Sequence, residues 1–180
     1  MVATEARTEL VGQPIKRRED PRLVQGQGRF LDDIVLPGMV HAVILRSPHA
    51  HAKILSIDVS AALEMPGVVG VFTGQDMLDI NPLPFAYPAA SVENNVNTPR
   101  ALAVDEVHWT GDPVAVVVAA SEREAEDALE AINVQYEVLP AVVDAEETTF
   151  DGAPQLHENA PNNIVFHWTC GNEDGTVNAL

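Results

Sequence analysis

The stretch that most constrains the fold runs from Gly111 to Asp144, GDPVAVVVAASEREAEDALEAINVQYEVLPAVVD. Its VAVVVAA run is nearly all β-branched, which is typical of a strand covered on both faces. In the following SERE, Ser121 and Glu124 form a capping-box pattern, in which each side chain bonds the backbone amide of the other residue. The pattern predicts a strand that leads directly into a helix.

The helix in this stretch has one apolar face. Ala125, Ala128, Leu129 and Ile132 recur at i, i+3, i+4 and i+7. The small alanines let the helix lie close to a sheet. A second strand follows, where VQYEV alternates from Val134 to Val138. The stretch is therefore predicted to be a strand–helix–strand layer that buries one face of the helix.

An earlier segment predicts more strands of the same kind. Residues 40–46 are mostly apolar on both alternating faces, which predicts a strand buried on both sides. AKILSIDV at 52–59 predicts a second strand, and a short helix follows with Ser60 as its N-cap. A Pro-Gly stop then precedes a third strand at 68–74.

The flanking regions differ from this organised part. Residues 1–25 are polar and predict an arm, whose basic cluster KRREDPR also contains acids. Residues 79–100 contain many prolines without any periodicity and predict a loop. Residues 141–180 predict a connection that ends in a strand, NIVFHWTCGN, and an unfinished helix start at Asp174. The organised domain is placed at 26–140.

The charge balance excludes two classes of partner. The net charge is -17, with 27 acidic against 10 basic residues. A nucleic-acid binder needs clustered Lys and Arg to neutralise phosphates, and an anionic membrane surface needs the same. The longest apolar run, Val114–Ala120, is far shorter than the roughly 20 residues that cross a bilayer. With no leader-like start and one cysteine, Cys170, we expect a cytoplasmic protein without membrane insertion.

Candidate chemical groups are few. His49 and His51 lie on one side of an extended segment near His41, but a zinc site needs three or four convergent ligands, so hydrogen-bonded structural histidines are favoured. Gly26-Gln27-Gly28 lacks the third glycine of a dinucleotide loop. A lone cysteine in a strand is usually a small buried apolar residue. The acid pairs at 32–33 and 146–147 point to opposite faces of an extended chain. From the residues alone, no catalytic, cofactor-binding or metal-binding residue is assigned.

Several long motifs resemble a known family. They are RSPHAHAKI at Arg46–Ile54, GRFLDD at Gly28–Asp33 and PGVVGVFTGQD at Pro66–Asp76, with GDPVAVVVA and VQYEVLPAVVD after them. In this order they resemble the start of the molybdenum-binding large subunit of the xanthine dehydrogenase, aldehyde oxidase and carbon monoxide dehydrogenase family. The resemblance extends over nearly the whole chain from about Val11 and is weakest in the proline-rich loop.

The resemblance implies a fold and a setting. The fold is an α/β hammerhead of the α/β (α+β) class, a mixed sheet with a few packed helices. The family hydroxylates carbon centres of purines, aldehydes or N-heterocycles with oxygen from water, or oxidises carbon monoxide, at a molybdopterin-bound molybdenum. Electrons leave through iron–sulfur clusters and FAD on partner subunits or domains. Residues 141–180 then include the start of the following molybdopterin-binding domain, cut short.

The family's pterin-contacting and catalytic residues lie after this domain, and none maps onto residues 1–180. The resemblance therefore implies a scaffold that contacts the remainder of the large subunit and the iron–sulfur and flavin subunits. Within its motifs, the candidate structural or subunit-interface residues are Arg46, Ser47, His49, His51, Asp32 and Asp33. Two alternatives remain open: a short subunit of a split enzyme, and a stand-alone interaction domain without a redox role.

Overall fold

The computed structural model describes residues 12–80, 82–83 and 99–165. The chain divides into two compact units, Met1–Met39 and Val40–Leu180. In the described part of the first unit, helix α1 spans Asp20–Val24 and a 3₁₀ turn spans Leu31–Asp33, and neither element has a buried residue. The two units meet between Met39 and Val40, whereas the sequence placed the start of the domain at Gly26. The domain boundaries at 26 and 140 therefore stay a prediction.

The second unit contains two three-stranded sheets. The first sheet has the order β1-β5-β3 and the second has the order β4-β2-β6. The strands are β1 His41–Arg46, β2 Ala52–Asp58, β3 Val68–Thr73, β4 Glu106–Val107, β5 Pro113–Ala119 and β6 Asn133–Val138. Helix α2 spans Ser60–Leu63 and helix α3 spans Glu122–Glu130.

The predicted α/β class is confirmed, and the sheet arrangement differs from the prediction in one respect. Among the described strands every pairing is antiparallel, so a single mixed sheet is replaced by two antiparallel ones. The reason is connectivity. Strands that follow each other in sequence, such as β1 and β2, enter different sheets instead of crossing over within one.

Helix α3 forms where the sequence predicts it. The Ser121 hydroxyl accepts a hydrogen bond from the Glu124 amide at 3.3 Å, which satisfies one of the free amides of the first turn. The same hydroxyl donates to the Glu124 carboxylate at 2.8 Å, in place of the predicted bond from the Ser121 amide. Ala125 and Ala128 are fully buried and face the first sheet, as the periodicity predicts.

Helix α2 begins one residue earlier than predicted. Ser60 is its first helical residue and not its N-cap. The Asp58 carboxylate accepts both the Ser60 amide, at 3.0 Å, and the Ser60 hydroxyl. The predicted stop is confirmed, because Gly67 takes the positive φ of 80° that a glycine tolerates after a helix end.

The first sheet has one covered face and one open face. Val43, Val117 and Val71 are aligned across it and pack against α2 and α3. On the opposite face Ile44 and Phe72 are 40% and 46% exposed. The prediction that residues 40–46 are buried on both faces is therefore wrong, because the described helices cover this sheet on one side alone.

The second sheet has its own small core, formed by Ala52, Val107 and Val114. The last of these belongs to β5, the central strand of the first sheet, so this strand contributes to both cores. Strand β6 follows α3 but pairs with β2. The predicted single layer is thus split, with its two strands in different sheets.

Some predictions fall wholly or partly outside the described residues. The predicted loop at 79–100 is described at 79–80, 82–83 and 99–100. The predicted strand at 163–172 is described only to Val165. Cys170 and Asp174 lie outside the described residues.

Candidate functional site

Two short links carry the chain between the sheets, and they lie side by side. Ser47–His51 joins β1 to β2, and His108–Asp112 joins β4 to β5. The Ser47 amide donates to the Asp112 carbonyl at 2.9 Å, and the Gly111 amide donates to the Ser47 carbonyl at 2.8 Å. The guanidinium of Arg46 donates to the Gly111 carbonyl at 2.9 Å. Gly111 has a φ of 94°, so this turn requires glycine.

Ser47 organises the first link. It is buried, and its hydroxyl accepts the His49 amide and donates to the His49 carbonyl, both at 3.0 Å. Such a local bond imitates a backbone turn and fixes the chain direction. The edge of the His49 ring meets the ring of Tyr136 with centroids 5.0 Å apart. Burial raises the pKa of Tyr136, and the neighbouring Ser47 hydroxyl offsets part of that rise.

His51 connects three segments of the chain. Its side chain is buried, with Nδ1 2.7 Å from the Pro140 carbonyl and Nε2 2.5 Å from the Glu106 carboxylate. A carbonyl oxygen only accepts, so Nδ1 carries a proton. On the other side of the ring, Nε2 is hydrogen-bonded to Glu106. This arrangement fixes the start of β2 to β4 and to the end of β6.

Two further histidines extend the cluster. The rings of His51 and His108 are stacked with centroids 5.9 Å apart, and those of His108 and His157 with centroids 4.3 Å apart. The Nε2 atom of His108 lies 3.8 Å from the Glu106 carboxylate. Burial lowers the pKa of His108, as do the charges of His157 and His51, while Glu106 raises it.

Asp112 is the buried acid beside this cluster. Its carboxylate accepts the His108 amide at 3.0 Å, which holds the second link in a tight turn. Burial raises the pKa of Asp112, and the bond from the His108 amide lowers it by a smaller amount. Since burial disfavours the charged form, this carboxylate destabilises the folded state when it ionises.

A groove of about 920 Å³ opens over the histidines. Its walls include Lys53, Arg100 and Trp109 together with the cluster residues. Its walls contain both cationic and acidic side chains, so no single charge dominates. In the described part of the chain, no group of three or more His, Cys, Asp or Glu is placed to hold a metal ion. What this arrangement can do chemically is bind and release protons and hold chain segments together.

The candidate residues predicted from the sequence fall into two groups in the structure. Arg46, Ser47, His49 and His51 come together at the junction of the two sheets. Asp32 and Asp33 lie in the 3₁₀ turn of the first unit, where they are exposed and the carboxylate of Asp33 accepts the Phe30 amide at 2.9 Å. Ser47 and His51 are buried within the chain, and the subunit-interface role of all six stays a prediction.

Sequence reasoning missed four members of the junction: Glu106, His108, Asp112 and His157. One signal was present. Glu106 and His108 are separated by one residue, so in an extended chain both point to the same face. Nothing local placed that face against His51 or against His157, which are distant in sequence.

No helix among the described residues is long and apolar enough to cross a bilayer.

A family model described as aldehyde oxidase and xanthine dehydrogenase, a/b hammerhead domain, matches residues 25–140. The carbon monoxide dehydrogenase large chain of Afipia carboxidovorans is 37% identical over 173 residues, which cover 89% of this chain and 21% of that one. The nicotine 6-hydroxylase large subunit of Paenarthrobacter nicotinovorans is 39% identical over 156 residues, covering 86% and 19%.

A solved structure is also similar. It is the Cu,Mo-CO dehydrogenase in its carbon monoxide reduced state, which aligns with a TM-score of 0.69 and 38% identity. The alignment covers 82% of this chain and 18% of that one. The chain therefore spans about a fifth of the length of the curated relatives it matches.

Proposed function

The chain belongs to the aldehyde oxidase and xanthine dehydrogenase family, and we propose that it is the N-terminal scaffold and subunit-contact part of a molybdenum hydroxylase large subunit. The resemblance drawn from the motifs at 28–33, 46–54 and 66–76 is confirmed. The proposed whole enzyme hydroxylates a purine, an aldehyde or an N-heterocycle, or oxidises carbon monoxide. Because the chain spans about a fifth of its relatives, that activity needs residues beyond it.

The open face of the first sheet is the observation that carries this proposal. Ile44 of β1, Val116 of β5 and Phe72 of β3 form one row across it. The two outer residues of the row are 40% and 46% exposed. Contiguous exposed apolar surface of this kind marks contact with another protein surface. A sheet covered on one side by helices and open on the other suits a domain that packs against more protein.

The composition of the core supports the same proposal. Among the described residues the buried apolar side chains are mainly alanine and valine, and the largest fully buried ones are Val107, Val114 and Val117. Larger apolar side chains, including Ile44, Phe72 and Phe150, are exposed. A small core beside much exposed apolar surface favours a domain that gains stability from its neighbours.

The donor groups of the described residues do not fit a molybdenum site or another metal centre, because no suitable cluster of His, Cys, Asp or Glu is present among them. We therefore assign no catalytic step to them. In the proposal, molybdopterin-bound molybdenum is held by the remainder of the large subunit, and iron–sulfur clusters and FAD belong to partner subunits or domains. The single cysteine, Cys170, favours a reducing compartment, and the proposal places the enzyme in the cytoplasm.

The sheet junction supplies the rigidity that a scaffold needs. Ser47, His51 and Asp112 are buried there and hydrogen-bonded across three segments. Buried polar groups with complete hydrogen bonding fix one arrangement of the elements that carry them. The junction therefore holds the two sheets in a single orientation.

The test of this proposal isolates the native polypeptide through an affinity tag and measures its intact mass, its molybdenum content and substrate-dependent dye reduction. We expect a mass several times 19.4 kDa, bound molybdenum and reduction of the dye. A mass near 19.4 kDa with a molybdenum-containing partner would instead identify a subunit of a split enzyme. The same mass with no such partner would refute the proposal in favour of a stand-alone interaction domain.

A pair of variants tests the open face directly. Phe72→Asp places a charge within the proposed contact and is expected to reduce molybdenum incorporation and co-purification of the other subunits. Leu55→Asp is the matched control, since Leu55 is also an exposed strand residue but lies on the second sheet. Equal recovery of the loaded enzyme from both variants would contradict the assignment of this face.

A further inference from the structure

The segment Asp144–Ile164, here called the connection, folds largely on itself. The side-chain amide of Asn163 donates to the carbonyls of Thr148 and Pro154, both at 2.9 Å. Its side-chain oxygen accepts the Leu156 amide at 2.8 Å. One asparagine thus joins three parts of the connection, which makes the connection a small structural unit beside the two sheets.

The connection meets the sheets at the groove described above. Gln155, Leu156, His157 and Glu158 form the groove wall on the side of the connection. The closest described ring contact there is the stack of His157 on His108, with an interplanar angle of 23°. His108 directly follows β4, so this stack joins the connection to the second sheet.

The charged groups around the stack come from each neighbouring element. His51 and Lys53 lie on the β2 side, and Asp105 and Glu106 on the β4 side. Asp112 comes from the second link, Arg100 from the segment before β4, and Glu158 from the connection itself. Of the carboxylates, Glu106 is within 4 Å of ring nitrogens, 2.5 Å from His51 and 3.8 Å from His108.

This arrangement disfavours protons on the two stacked rings. Glu106 is already hydrogen-bonded to His51, whose other ring nitrogen is bonded to the Pro140 carbonyl. A proton on His108 adds a cation beside His51, and protons on both stacked rings place two cations 4.3 Å apart between centroids. Like charges at this separation in a partly buried site repel strongly.

We propose that the His108–His157 stack is a pH-sensitive contact that holds the connection on the sheets while both rings are neutral and releases it when the stack takes up protons. The inference rests on the side chains of the described residues and does not depend on the identity of the enzyme.

The direction of the pH dependence follows from the surroundings of His108. Burial and the neighbouring histidines hold the pKa of His108 below its usual value of 6.5. The closed form therefore binds fewer protons than the released form. Its advantage is complete above about pH 6.5 and is lost as the pH falls through the lower pKa of the closed form.

Hydrogen exchange of the 180-residue chain, read by mass spectrometry, measures this release. Amide protection of the connection is followed from about pH 7.5 to pH 5.5, after correction for the intrinsic pH dependence of exchange, with β5 as the internal reference. Where the release takes up one proton, protection falls by about tenfold per pH unit. The reference strand is expected to keep its protection over the same range.

Two variants separate charge from stacking. His108→Phe keeps an aromatic ring on His157 but removes the group whose pKa differs between the closed and released forms, so the pH dependence in the connection should disappear. His41→Gln removes a histidine in β1, outside the cluster, and should behave as the wild type. Protection in the wild type that does not change with pH overturns the proposal, as does a wild-type slope in His108→Phe. If that variant does not fold, the wild-type profile alone still decides.

Discussion

Val117→Ala tests the two-faced architecture of the first sheet. Val117 lies in the centre of β5, is fully buried, and packs against Ala125 and Ala128 of α3. Removing two methyl groups forfeits about 1.6 kcal/mol of transfer free energy at about 0.8 kcal/mol per group. The neighbouring alanines are too short to fill the cavity, so the cavity term adds to this and the total reaches about 2.5 kcal/mol.

Val116→Ala is the matched control, because it changes the next residue of the same strand on the open face. Val116 is partly exposed, so the same truncation is expected to cost less than about 1 kcal/mol. Urea unfolding of both variants, followed by tryptophan fluorescence, gives the two free energies at an unchanged m-value. Equal losses would show that the two faces are buried alike, and would refute both the covered-face and open-face assignments.

Two further outcomes follow from the structure. Gly74→Ala should lower the free energy of unfolding by about 1–3 kcal/mol, because the added carbon would lie 2.8 Å from the backbone carbonyl carbon of Ala103. Differential scanning calorimetry would show this loss of stability as a lower Tm. Gly70→Ala, whose added carbon meets only a side-chain ring, should cost less, and the opposite order would contradict this packing. Asp112→Asn keeps an oxygen to accept the His108 amide but cannot ionise. Burial raises the pKa of Asp112, so ionisation of this group destabilises the wild type: the loss is absent below about pH 3.8 and complete above the folded pKa. Urea titrations should therefore show that the stability of the variant relative to wild type rises with pH. A pH-independent difference would refute this assignment.

The candidate site was only half visible in the sequence. Ser47, His49 and His51 lie within five consecutive residues, so a motif places them together before any fold is known. Glu106 contacts His51, and His157 contacts His108, although each pair is far apart in sequence. The first contact depends on strand pairing and the second on the course of the connection. No local pattern encodes such distances.

The sequence by itself determined the local elements. Helix α3 follows from its serine cap and from Ala125 and Ala128 at helical spacing, because capping and amphipathic periodicity involve residues within one or two turns. The β-branched run determined β5 in the same way. These features form wherever the chain lies in the fold, so they can be predicted without knowing it.

Only the tertiary structure decided which strands pair and which faces are covered. The sequence predicted β5 and β6 as one layer, yet β6 pairs with β2 in the second sheet. It predicted two buried faces for β1, yet Ile44 is exposed because the described helices lie on one side of its sheet. The sequence pattern of apolar residues is the same whether their side chains are buried within the chain or exposed for contact with a partner. The difference is set by where the helices pack, and that is a property of the assembled chain.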